Sequence, residues 1–319
     1  MTTLMKAIRY HDCGGPEVLK LEQVPRPVPK DDEILVQVFA MGVNPVDWKL
    51  RDGVARMMKI PLPLIPGGDI SGVVEQVGAA VSSFKIGQPV YAMIGLLGAY
   101  TDYVAIKASF AAAKPVSMDD IHAASIPLAA LTAWQGLFEH GGLKAGQRVL
   151  IHGASGGVGG FAVQLSRNAR ADIVASSSMA NRDYVLALGA ARIVDGRNIP
   201  FDSLAASFDV VLDLVAGEGS ERLLGLLKPG GILTSASPAA GGALAAAAAA
   251  KGVRVKGIQV HPDGVQLAQI AAQADAGKLQ SRIAAVFPLA EAGKAQELSK
   301  AGHTLGKIVL RNLALRNAA

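Results

Sequence analysis

Apolar residues come in two rhythms along this chain, and the change falls near Ile121. Before it the runs are short and bounded by turn formers. Glu33-Ile34-Leu35-Val36-Gln37-Val38, Gly72-Val73-Val74-Glu75-Gln76-Val77-Gly78, Pro89-Val90-Tyr91-Ala92-Met93 and Tyr100-Thr101-Asp102-Tyr103-Val104-Ala105-Ile106 each predict a strand. β-Branched and aromatic residues fit a pleated surface, and Gly and Pro mark its ends. Pro25, Pro27 and Pro29 fix φ and lack a donor, so they predict an extended linker. Short strands at regular spacing from Lys6 to about His122 predict a barrel-like or folded β domain.

Beyond Ile121, helices and strands alternate. A helix is expected over Ala123–Leu137, broken or started at Pro127. Strands are expected at Val149–His152, Asp172–Ser176, Arg192–Asp195, Phe208–Asp213, Ile232–Ala236 and Val253–Ile258. Helices fall after Gly159, over Arg182–Leu188 and over Glu221–Leu227, where Lys228-Pro229-Gly230-Gly231 is expected to stop the chain turning. About six strands with helices between them predict a doubly wound parallel α/β sheet. After about His261, a helix over Val265–Ala276 leads to the strand-like Lys307–Leu310, in the style of the first domain. The expected division is therefore 1–122 with 262–319, and 123–261.

The densest chemical signal is Val149-Leu150-Ile151-His152-Gly153-Ala154-Ser155-Gly156-Gly157-Val158-Gly159. A buried parallel strand accounts for the apolar run. Glycines let the backbone turn sharply and let a pyrophosphate approach without meeting a Cβ. The helix that follows offers unpaired N–H groups and a positive dipole end. Gly153, Ala154, Ser155, Gly156, Gly157, Val158 and Gly159 are thus candidate cofactor-binding residues. A carboxylate about 20 residues beyond such a turn would bond a ribose 2′-hydroxyl and repel a 2′-phosphate. This chain has Ser176-Ser177-Ser178 and then Asn181-Arg182. Hydroxyls can donate to a phosphate and a guanidinium can pair with it, so Ser176, Ser177 and Arg182 point to NADP. Asp183 is the neighbour that could oppose this.

Composition narrows the setting. Of 319 residues half are hydrophobic, which is ordinary for a globular enzyme. Cys13 is the one cysteine, so no intramolecular disulfide and no multi-thiolate metal site can form. That suits a cytoplasmic setting. Met1–Tyr10 has no apolar signal core, and the alanine-rich stretch Ala239–Ala250 is too short to span a bilayer. The net charge is +5. Lys49, Arg51, Arg56 and Lys59 form one loose basic group, and Lys251, Arg254 and Lys256 another. Neither is interleaved with aromatics, so solvated surface is expected rather than a nucleic-acid site.

Several segments together resemble the medium-chain dehydrogenase/reductase superfamily, in its zinc-independent quinone oxidoreductase branch with the enone and alkenal reductases. They are Gly42-Val43-Asn44-Pro45-Val46-Asp47-Trp48-Lys49, Pro66-Gly67-Gly68-Asp69-Ile70-Ser71-Gly72-Val73-Val74-Glu75, Thr132-Ala133-Trp134, the glycine turn, Leu188-Gly189-Ala190 and Gly302-His303-Thr304-Leu305-Gly306-Lys307-Ile308-Val309-Leu310. The resemblance implies a GroES-like β-barrel-type catalytic domain beside a Rossmann domain, and a homodimer. Zinc-dependent relatives carry Gly-His-Glu where this chain reads Gly67-Gly68-Asp69, and a cysteine near Asn44 that is missing here. No catalytic zinc is therefore expected. What the resemblance implies instead is hydride transfer from NADPH to a quinone or an α,β-unsaturated carbonyl, with Asn44 and Asp47 at the nicotinamide end. Thr132 would lie near the ribose and phosphates, and Gly306 and Lys307 would return to the cofactor from the tail. Lys49 stands where many relatives have tyrosine; it is either a carbonyl-polarising cation or a surface lysine. Gly196, in Asp195-Gly196-Arg197, replaces a tyrosine that relatives use beside the 2′-phosphate. A non-catalytic NADPH-binding protein is the alternative. Tyr103 and Lys107 match a Tyr-x-x-x-Lys pair, but on a strand their Cα atoms would stand about 13 Å apart.

Overall fold

The computed structural model describes residues 3–312 apart from 197, 200, 216, 218, 237–241 and 303. Arg197, the first residues of the alanine-rich stretch at Ala239, and His303 thus lie outside the described residues. In chain order the strands are β1 (Leu4–Arg9), β2 (Lys20–Pro25), β3 (Glu33–Val43), β4 (Asp69–Val77), β5 (Pro89–Met93), β6 (Tyr103–Lys107) and β7 (Ala111–Ala113). Then come β8 (Arg148–His152), β9 (Asp172–Ser177), β10 (Arg192–Asp195), β11 (Phe208–Asp213), β12 (Leu227–Ser235), β13 (Arg254–Gly257), β14 (Ile283–Pro288) and β15 (Lys307–Arg311).

The chain divides into two compact units. One comprises Met1–Leu128, His261–Gly277 and Ser281–Ala319; the other comprises Ala129–Val260 and Lys278–Gln280. The expectation put the first boundary at 122 and gave all of 262–319 to the first unit.

In the first unit β1 and β2 pair as an antiparallel ribbon. A second sheet runs β14-β15-β3-β4-β5-β7, with β6 also on β3. β14 and β15 are parallel, and β15 lies antiparallel on β3 with Ile308 opposite Val43. Ile34, Val36 and Val38 alternate along β3 and are fully buried against Ile70, Val90 and Leu310, as a period of two requires. Tyr103 and Lys107 do lie on a strand, so the helical pair they mimic does not form.

The second unit is one parallel sheet in the order β10-β9-β8-β11-β12-β13. Numbered within the unit, that is 3-2-1-4-5-6, the doubly wound dinucleotide-binding order. Val149, Leu150 and Ile151 of β8 are wholly buried, because helices can cover both faces of a parallel sheet. The helix Gly157–Asn168 turns Phe161, Val163 and Leu165 inward.

Several elements depart from the sequence reading. The expected breaker Lys228-Pro229-Gly230-Gly231 lies inside β12. It forms a bulge there, Leu227 facing Phe208 and Ile232 facing Val210, with Pro229 and Gly230 exposed. The helix before it is short, Ser220–Leu223 followed by a 3-10 turn at Leu224–Leu226. The helix expected over 123–137 is Asp120–Ala124, then Pro127–Trp134, then a π turn at Gln135–His140. The strand expected from Tyr100 begins at Tyr103, because Tyr100 bonds the Pro66 carbonyl and the Ile8 N–H instead. β14 and the helix Ala292–Ala301 were not anticipated. Arg51 does not lie on solvated surface: its side chain is fully buried.

Candidate active site

The second unit builds the glycine turn as the end of β8. Gly153 sits at φ +90°, a conformation that favours glycine. The Ala154 N–H donates to Ser176 O at 2.9 Å and the Gly153 N–H to the same oxygen at 3.2 Å, so β9 holds the turn. Ala154 is buried, and Ser155, Gly156, Gly157 and Val158 stay partly exposed where the helix begins. Helix geometry leaves the first N–H groups of that turn without intrahelical acceptors. Gly159 is buried, and a Cβ there would lie 2.3 Å from Gly153 O.

Two residues the sequence reading did not single out support the turn. His152 Nδ1 lies 2.6 Å from Ser176 Oγ, which also accepts from Gly153 N at 3.3 Å. Burial holds the His152 imidazole below its ordinary pKa, while Asp213 pulls the other way. Asp213 ends β11 directly opposite His152 and accepts from Ser220 Oγ at 2.6 Å and Val215 N at 3.1 Å. Polar residues ending apolar parallel strands were the signal for both. Ser176→Ala leaves His152 and the Gly153 N–H without this partner. It should cost about 1–2 kcal/mol, read as a lower midpoint in thermal unfolding.

The expected 2′-phosphate residues fare differently. Ser176 is fully buried and its hydroxyl is spent on the turn. Ser177 is nearly as buried and donates to Ser178 O at 3.0 Å. Arg182 is half-exposed and pairs with the open Asp183 carboxylate at 3.2 Å. Gly196 lies against both serines, with room for a Cβ 3.7 Å from Ser176 Oγ. Thr132 is buried on the helix Pro127–Trp134.

In the first unit, Asn44 caps the helix Pro45–Lys49 in a reciprocal box with Asp47, whose Oδ2 accepts from Asn44 N at 2.8 Å. Tyr100 Oη donates to the same Oδ2 at 2.8 Å. The Asn44 amide donates to Asp69 Oδ2 at 2.8 Å, and its carbonyl accepts from Lys307 Nζ. Lys307 also donates to Val43 O at 3.1 Å and stands 3.9 Å from Asp69 Oδ2. Asp69 Oδ1 accepts from Leu128 N at 2.7 Å. Asn44, Asp47, Asp69, Tyr100 and Lys307 are all buried. The structure thus brings Asn44, Asp47 and Lys307 together and adds Asp69 and Tyr100, which the sequence reading gave no role. Burial pushes the Asp47 carboxyl up to about 7, although hydrogen bonds from Asn44 and Tyr100 and the Lys307 charge oppose it. Asp69 moves up for the same reason, against Lys307. Burial moves the Lys307 ammonium down, against both carboxylates. Gly306, at φ +102°, would put a Cβ 2.3 Å from Arg282 O, so backbone packing alone requires glycine there. Lys49 stands apart from this network: it is exposed, with Nζ 5.5 Å over the Trp48 ring.

Residues 30–116 match the alcohol dehydrogenase GroES-like domain, and residues 188–310 match the zinc-binding dehydrogenase domain. The quinone oxidoreductase of Sus scrofa is 35% identical over 96% of this chain and 98% of its own length. The chloroplastic NADPH-dependent alkenal/one oxidoreductase of Arabidopsis thaliana is 31% identical over 96% of this chain and 79% of its own. The solved quinone oxidoreductase of Coxiella burnetii superposes with a TM-score of 0.89 at 32% identity, covering 97% of this chain and 99% of that one. The chain belongs to the quinone oxidoreductase branch of the medium-chain dehydrogenase/reductase superfamily. It combines a GroES-like domain with a doubly wound parallel sheet.

The zinc in the name of one matching domain can be tested on donor chemistry. A catalytic zinc needs about three protein ligands with free lone pairs. Around Asp69 stand an amide N–H, a backbone N–H and an ammonium, all hydrogen donors. Among the described residues no group of three or more His, Cys, Asp or Glu side chains could hold a metal. These residues do not fit a zinc ion. No helix among the described residues is long and apolar enough to cross a membrane.

Proposed function

We propose that this protein is a zinc-independent, NADPH-dependent reductase of quinones or α,β-unsaturated carbonyls. The observation that carries it is the glycine turn, set at the end of the first strand of a 3-2-1-4-5-6 sheet and joined to a chain whose relatives are named for these reactions. Those names lend the non-catalytic alternative no support.

NADPH, when bound, supplies the hydride. The chain's residues bind and orient. The N–H groups of Ser155, Gly157, Val158 and Gly159 would hold the pyrophosphate, the Gly156 N–H being donated to Gly153 O at 3.2 Å. Arg182 would meet the 2′-phosphate, exchanging Asp183 for a stronger anion. Ser176 acts through the turn. Asn44 and Asp47 are positioning residues: the Asn44 amide is taken up by Asp69 and Lys307, and Asp47 Oδ2 by the Asn44 N–H and the Tyr100 hydroxyl. Lys49, with an exposed ammonium, would meet negative charge on the acceptor, whether it develops on the oxygen or is carried beside it. No buried acid is needed to finish the reaction, because water can protonate the enolate or hydroquinone. The same reading makes the protein a cytoplasmic homodimer, on the family resemblance and a composition with one cysteine.

Fluorescence titration with NADPH and NADH, followed by NADPH consumption with a 1,4-quinone and a short-chain enone, tests the proposal. Binding of neither nucleotide would remove its basis; binding without turnover of any acceptor would favour the non-catalytic role. Arg182→Ala should weaken NADPH about tenfold, the scale of one charge-assisted hydrogen bond, and leave NADH nearly as before. Equal losses for both would take Arg182 out of the 2′-phosphate site.

A further inference from the structure

The segment after Asn44 does not continue as one helix. Pro45–Lys49 is α-helical, Leu50–Val54 widens into a π turn with Gly53 at φ +139°, and Ala55–Met57 resumes the helix. The break leaves a hollow of about 460 Å³, lined by Trp48, Lys49, Asp52, Val54, Arg56 and Met57 beside Gly53. Its floor is apolar and soft. Met57 is 83% exposed and its neighbour Met58 60% exposed, and thioether side chains adapt to what they meet. The Trp48 indole N–H has no partner although it is buried.

The charges around the hollow do not cancel. Asp52 accepts from Arg51 Nη2 at 2.6 Å and from Lys300 at 2.6 Å, and Glu297 accepts from the same Nη2 at 2.6 Å. Those two cations and two carboxylates balance. Lys300 also stands 5.8 Å over the Trp48 ring. Lys49 and Arg56 remain: among the described residues neither meets a carboxylate within ion-pair distance. An aromatic floor with two uncompensated cations at its edge is complementary to a flat anion.

We propose that this hollow is the acceptor subsite, and that it favours flat conjugated acceptors bearing a carboxylate or sulfonate, the ring on Trp48 and Met57 and the anion on Lys49 and Arg56. This rests on the reductase reading above. The anion is a recognition handle that leaves the reaction unchanged.

The test compares 1,4-naphthoquinone-2-sulfonate with 2-methyl-1,4-naphthoquinone, which differ in the group at one ring position. The readout is the ratio of their kcat/KM values with NADPH. Arg56→Gln and Lys49→Gln should each lower the ratio several-fold, and the pair together more. Raising the salt should lower it in the parent protein, because exposed charges are screened. Lys59→Gln, outside the hollow, should leave the ratio as it was. A second readout needs no turnover. Trp48 and Trp134 are the two tryptophans, so Trp134→Phe makes Trp48 the single indole reporter. The sulfonate should quench it, and Arg56→Gln should weaken the quenching. A ratio identical in the parent and the double variant would overturn the subsite, as would turnover of the methyl quinone with no quenching by the sulfonate. Quenching that depends on Arg56, with neither quinone reduced, would support the subsite and count against the reductase reading instead.

Discussion

Gly159→Ala should disrupt the second unit, while Gly156→Ala should leave it folded and lose the cofactor. A methyl group at Gly159 would lie 2.3 Å from Gly153 O and 2.6 Å from Ala154 Cα. Both are backbone atoms of the turn, and the turn is fixed to β9 through Ser176, so neither can step aside cheaply. Overpacking of this kind costs about 3 kcal/mol or more. Gly156 is the opposite case. Its φ of −74° and ψ of 175° are open to any residue, and a Cβ there would meet only Gly153 O at 3.5 Å. Folding does not ask for glycine at this N-cap, where serine or asparagine would serve better. Close approach of a pyrophosphate does ask for it. Thermal unfolding should therefore separate Gly159→Ala from the parent and leave Gly156→Ala within about 1 kcal/mol of it, the cost of alanine at an N-cap. NADPH titration should show Gly156→Ala weakened by at least about tenfold, one bad contact's worth of binding energy. A Gly156→Ala protein that bound NADPH normally would mean that the turn does not hold the phosphates.

Residues whose role is local were legible in the sequence; residues whose role depends on distant partners were not. Pro89–Met93, Arg192–Asp195 and Phe208–Asp213 are strands over the residues expected, because their apolar patterns are set by burial alone. Lys228-Pro229-Gly230-Gly231 misled because Pro and Gly are tolerated in a strand where it bulges at an exposed rim. The helix Ala292–Ala301 escaped because its buried positions include Gln296, which no apolar period marks. Arg51 shows the same limit. Asp52 beside it accepts from the guanidinium, but the partners Gln296 and Glu297 stand 245 and 246 residues away, and burying a guanidinium needs such partners together. The motif around Asn44 was visible as a motif. Its internal use was not, since Asp69, Tyr100 and Lys307 come from three other segments.

That convergence carries the second large effect, on stability against pH. Asp47 Oδ2 accepts from Asn44 and Tyr100, and Oδ1 has no hydrogen-bond partner among the described residues. Lys307, the buried cation that acts on it, stands 3.9 Å from Asp69, so one ammonium is shared between two buried carboxylates. Burial therefore pushes the Asp47 carboxyl from 3.8 to about 7. Between these values the folded protein holds a proton that the unfolded chain has released. Stability must then fall as pH rises through this window and level off above about 7. At about 1.4 kcal/mol per pKa unit, the full effect is on the order of 4 kcal/mol. Asp47→Asn keeps an acceptor for Asn44 and Tyr100 and removes the charge. Denaturant unfolding at intervals from pH 5 to pH 8 should show the parent losing stability and the variant losing much less. A slope of the same sign should remain in the variant from Asp69, which is shifted in the same direction. At pH 8 the variant should be the more stable of the two. Parallel pH curves for parent and variant would mean that Asp47 is ionised in the fold throughout, and that Lys307 compensates both carboxylates after all.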